Sequence, residues 1–169
     1  MTDFRDAVDA FMAAPKMVTG VALWAPSRNV PDQAAFWPLL VDGSPSAHQL
    51  KIEARLGTPW RGFCILLLFA WMGAHPVVMR LNVDADEHTH TNWPPRPPGV
   101  PPEVQGNRIY LWSDNRHKFR PSDIGLPYAR QLERRHAALH NALRHFASEA
   151  RIDLADADLP DYPKREALF

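Results

Sequence analysis

In AHQLKIEARL (47–56), Leu50, Ile52, Ala54 and Leu56 alternate with Gln49, Lys51, Glu53 and Arg55. A period of two puts apolar side chains on one face of a strand and leaves the other to water. The next run, FCILLLFAWM (63–72), is apolar throughout and predicts a central strand covered on both faces. VVMRLNV (77–83) resumes alternation, with Met79 and Leu81 on one side and Arg80 and Asn82 on the other. Continued without a bulge, it would project Arg80, Asn82, Asp84, Asp86, His88 and His90 from a single face. RIYLWS (108–113) reads as a last strand, with Ile109 and Leu111 opposite Arg108, Tyr110 and Trp112. KMVTGVALWAP (16–26) predicts an earlier strand closed by Pro26, and 29–46 an irregular connection with an extended piece at 37–41.

Two segments carry helical spacing. Phe4, Val8, Phe11 and Met12 predict a short helix capped by Thr2 or Asp3 and ending before Pro15. Over 128–150, Leu132, His136, Leu139, Leu143, Phe146 and Ala150 form one stripe opposite Arg130, Arg134, Asn141 and His145. The fold class expected is α+β: a mainly antiparallel β-meander with a long C-terminal helix packed on one face, in a single domain over 1–169. Proline, at 17 residues, is about twice the usual share, and six of them lie in NWPPRPPGVPPEVQGN. Proline lacks an N–H and fixes φ, so 93–106 should be an exposed, stiff loop.

Charge narrows the function. Lys plus Arg and Asp plus Glu are 19 each, which argues against strong non-specific attraction of the whole molecule to nucleic acid. Locally, 108–151 holds nine Lys and Arg against four acids, and the tail 153–169 turns acidic. Arg108, Arg116, Arg130 and Arg134 are the candidate nucleic-acid contacts. The single cysteine, Cys64, rules out an internal disulfide and suits a reducing cytoplasm. Lying in an apolar run, it should be buried and inert. The N-terminus is acidic and amphipathic where an export signal would be basic and then apolar, and 63–72 is far short of the ~20 residues of a membrane span.

The densest chemistry is LNVDADEHTHTN (81–92). In an extended chain the histidines of HTH face one side and can offer two nitrogens to one ion. Asp84, Asp86, His88 and His90 are therefore a candidate set for a divalent zinc, manganese or iron ion. Without metal, His88 and His90 can serve as general base and acid, with Arg80, Arg108 or Arg116 balancing phosphate charge. The carboxylates would repel a phosphate unless a cation neutralised them, which favours the metal version for a nucleic-acid substrate. The plainest reading is a solvated hairpin tip rich in turn formers. Trp93 and Trp112 flank the proline loop and could clamp it or, if exposed, stack on bases. His136 and His140 lack an HExxH pattern, and His136 reads as a core residue.

VVMRLNVDADEHTHTN followed by GNRIYLWSDNRHKF resembles small uncharacterised bacterial and phage-associated proteins in which a strand ending R-x-[DN] precedes H-x-N or H-x-H. It is also similar to the TumE-type toxins of toxin–antitoxin operons, over residues 45–120. Where those proteins often carry a second histidine pair, this chain has Arg108, Ile109 and Tyr110, and its proline insert is longer. The resemblance implies a cytoplasmic toxin-like or phage-defence protein acting on RNA, with an antitoxin or defence-complex subunit as partner. The alternative is a non-enzymatic accessory protein that binds a partner through the proline loop or the basic helix face.

Overall fold

Asp3 accepts a hydrogen bond from the Arg5 amide at 2.7 Å and starts helix α1 (Phe4–Ala13), which buries Phe4, Val8 and Phe11. Ala14 and Pro15 end it. Lys16, only 3% exposed, turns back so that its ammonium donates to the carbonyls of Phe11 and Ala14 at 2.7 Å and of Met12 at 3.4 Å. A cation is favoured at this end of a helix; burial nonetheless brings its pKa down to about 8. The computed structural model describes residues 3–27, 32–55, 62–83, 88–120, 125–155 and 159–163.

The strand expected over 16–26 is two short pieces, β1 (Lys16–Val18) and β2 (Ala25–Pro26). The connection expected over 29–46 is instead a long strand, β3 (Asp32–Val41), joined to β4 (Ser44–Arg55). Asp42 and Gly43 make the turn with φ of 49° and 75°, the positive pair that a two-residue hairpin of matching twist requires. Prolines argue against a strand here, but Pro38 sits at a register shift, where a missing N–H leaves the ladder intact. β5 (Phe63–Leu68) and β6 (Val77–Val83) follow antiparallel.

β6 does not run on through His90. Its outer edge is taken by β9 (Arg108–Tyr110), while β7 (Thr89–Thr91) and β8 (Glu103–Gln105) form a separate two-stranded ribbon. The proline loop is thus shorter than expected, ending at β8. Beyond β9 lies β10 (Arg130–Gln131). At the far edge β11 (Ile152–Asp153), which reaches the first residue of the expected tail, runs parallel to β1. Among the described residues every other pairing is antiparallel, so the fold is α+β on a mixed, mostly antiparallel sheet.

One sheet face carries the core: Trp37, Leu50, Ile52, Ile65, Leu67, Met79 and Leu81 are fully buried with α1 and the C-terminal helix. That helix is α3 (Leu139–Glu149), eleven residues and not the long element expected from 128. Leu143, Phe146 and Ala150 keep the expected stripe, but 130–131 are β10 and Arg134–His136 a 3-10 turn. Trp112 leaves its strand to open the short α2 (Trp112–Asn115). No described helix is long and apolar enough to cross a membrane.

Candidate functional site

The other sheet face is polar. Two cross-strand rows run over it, Glu53–Cys64–Asn82–Arg108 and Lys51–Leu66–Arg80–Tyr110. Leu66 is buried there but stands outside the main core cluster. Lys51 pairs with Glu53 and lies over the Phe36 ring. Cys64 gives its Sγ–H to Glu53 Oε2 at 3.5 Å, and burial beside that carboxylate pushes its pKa up to about 12. It has no thiolate character near neutral pH, as the apolar run implied.

Tyr110 gathers the functional side chains. The Arg80 guanidinium lies 5.9 Å from its ring centroid, within cation–π reach. Arg108 Nε donates to its hydroxyl at 2.9 Å. The His90 ring meets it edge-on at 5.3 Å. His90 comes to this place on the ribbon, which is tied back where Gly106 N and Arg108 Nη1 donate to the His88 carbonyl at 3.1 and 2.9 Å. Arg80 Nε donates to Asn82 Oδ1 at 2.7 Å. Its two terminal nitrogens have no hydrogen-bond partner among the described residues.

His90 Nε2 lies 3.1 Å from the Pro127 carbonyl oxygen. A carbonyl only accepts, so Nε2 carries the proton and Nδ1 of the neutral ring is left as the basic atom. The sheet and ribbon therefore bring together Arg80, His90 and Arg108 from the predicted set. His88 is exposed at the start of the ribbon. Asp84 and Asp86 lie outside the described residues, and no group of three His, Cys, Asp or Glu able to hold a metal occurs among those described.

The remaining arginines lie elsewhere. Arg116 bonds Asp9 at 2.6 Å and Asp6 at 3.1 Å, fastening α2 to α1. Arg130 grips Asp114 with two bonds of 2.6 and 2.7 Å, the fork-to-carboxylate match of a strong ion pair. Arg134 is exposed on the 3-10 turn. Because Asp114 is only 5% exposed, Arg130→Ala leaves a buried carboxylate unpaired. Allowing for the partial exposure of Arg130, a loss of about 2–3 kcal/mol is expected in urea unfolding.

Two buried asparagines, unmarked in the sequence, hold the segment that meets His90. Asn92 takes the Ala129 amide on Oδ1 at 2.8 Å and gives Nδ2 to the Ala129 and Pro101 carbonyls at 2.9 and 2.8 Å. Asn115 does the same for Tyr128, with bonds of 2.8 Å to its amide and 2.9 Å to its carbonyl. Each side-chain amide stands in for a β-ladder partner, and together they set the Pro127 carbonyl beside His90.

No protein-family model, curated protein or solved structure matches this chain. Its function must be read from its own side chains. Besides the Tyr110 face, a cavity of about 340 Å³ lies beside α3 over Ile109, Leu111 and Leu132. At its wall His136 and His145 stack at 4.2 Å, 14° from parallel, so their lone pairs do not converge as ligands of one ion must. His136 is half-buried on the 3-10 turn, rather than on the apolar stripe of a helix. Burial, then the neighbouring His136, lowers the His145 pKa.

Proposed function

We propose that this chain is a cytoplasmic, toxin-like or phage-defence protein of prokaryotes that acts on nucleic acid at the Tyr110 face. One observation carries the reading: an imidazole whose proton is committed to a backbone carbonyl stands against a tyrosine that also holds two guanidinium groups. An oriented neutral base beside two fixed positive charges suits attack on a phosphodiester.

On RNA, His90 Nδ1 would take the proton of a ribose 2′-OH. Its oxygen then bonds to the adjacent phosphorus, the bond to the 5′-oxygen breaks, and water protonates the leaving oxygen. Arg80 and Arg108 would balance the charge that builds on the phosphoryl oxygens. The alternative is a metal version in which Asp84, Asp86, His88 and His90 would hold a divalent ion that neutralises those carboxylates; His90 Nδ1 would then be a ligand and not the base.

The test is induced expression in bacteria of wild type, His90→Ala and the Arg80→Gln/Arg108→Gln double variant, with total RNA profiled, and purified protein assayed with and without chelator. Wild type should slow growth and fragment RNA, and both variants should do neither. Loss of cleavage with chelator supports the metal version. Equal growth and intact RNA for all three proteins would refute the proposal.

A further inference from the structure

We infer that the nucleic acid bound at this face is single-stranded and that Trp93 is the platform on which one of its bases stacks; this rests on the function proposed above. Of the two tryptophans flanking the proline loop, Trp112 is buried and gives its Nε1–H to Asp9 at 2.7 Å. Trp93 is 74% exposed. Among the described residues its ring meets no other ring and its Nε1–H has no acceptor.

Its backbone is nevertheless held firmly. Trp93 directly follows Asn92, whose amide donates to the Pro102 carbonyl at 2.8 Å and whose side chain is clasped to Pro101 and Ala129. Prolines at 94, 95, 97 and 98 stiffen the loop beyond it. A platform whose backbone is already fixed has only its side-chain freedom to lose when a partner arrives.

The same clasped segment, 127–129, receives His90 Nε2. Trp93 lies three positions beyond His90, a Cα–Cα span of at most about 11 Å. The indole is thus kept at a bounded distance from the proposed reaction centre.

Over the loop and ribbon themselves charge favours a polyanion over an apolar protein partner. Arg96, exposed three residues along the loop, and Arg108 stand against Glu103, the one acid between 88 and 110, while Asp84, Asp86 and Glu87 just before His88 are carboxylates that a cation would have to neutralise. Duplex bases are already stacked and paired, so only a single strand can lend a base to an exposed indole.

The test uses the purified full chain and a fluorescein-labelled oligodeoxyadenylate, which has no 2′-OH to attack, alone or annealed to its complement. Trp93→Ala should weaken single-strand binding roughly 5- to 150-fold, the usual worth of one stacked base. Trp93→Phe should keep most of the affinity, and duplex binding should be the same for all three. If Trp93→Ala binds the single strand as tightly as wild type while Arg80→Gln weakens it, stacking is refuted and the function stands. If Trp93→Ala instead loses only a co-purifying protein, the loop is a protein-docking surface and the inference fails. If wild type binds neither probe, the function proposal fails with it.

Discussion

Asn92→Ala is expected to lower the melting temperature by about 10 °C. Asn92 is 1% exposed, and its three side-chain bonds go to backbone groups, two of them on the fully buried Ala129. Removing the amide leaves the Ala129 N–H and two carbonyls unsatisfied, at roughly 1–3 kcal/mol for each buried group, partly relieved by water entering the gap. A net loss of about 3–5 kcal/mol is large beside the ~5–15 kcal/mol that holds a domain together. Asn92→Asp should also be destabilised, because a carboxylate can accept from the Ala129 amide but faces the two carbonyl oxygens with no donor. A loss below about 1 kcal/mol in either variant would show that the clasp is not what secures this segment.

His90→Gln should cut phosphodiester cleavage by about 10²- to 10⁴-fold, the range for losing a positioned general base. The glutamine amide can still donate to the Pro127 carbonyl, so the local fold is kept while the basic nitrogen is gone. A melting temperature close to wild type with activity lost separates chemistry from scaffolding. Unchanged cleavage rates would remove His90 from the reaction.

How much of this was legible depended on whether the signal was local. The cap at Asp3, the alternation in β4 and β6 and the stripe from Leu139 onward each act over a turn or two of chain, and each formed as expected. Asp42–Gly43 was an equally local hairpin signal, obscured by the prolines around it. The false helical start at 128 arose because Leu132 is buried by a route that its spacing does not reveal. Its segment is held by β9 and by two asparagines 13 and 37 residues away in sequence.

The site shows the same division. Arg80 and Asn82 lie where alternation put them, and His90 meets Tyr110 from a ribbon that no period-two reading could supply. Tyr110, the residue that joins Arg80 and His90, stood out in the sequence by sharing a strand face with Arg108 and by lying where the resembling proteins often carry a histidine pair. Its pairing with Arg80 depends on two strands thirty residues apart.

The salt dependence of single-strand binding tests the central claim most directly. Each phosphate neutralised contributes about −0.7 to the slope of log affinity against log salt. Wild type should show a slope of at least about −1.4 for the two guanidinium groups beside Tyr110, flattened by about 0.7 in Arg80→Gln and again in the double variant with Arg108→Gln. A slope that stays the same when both arginines are gone would contradict the account.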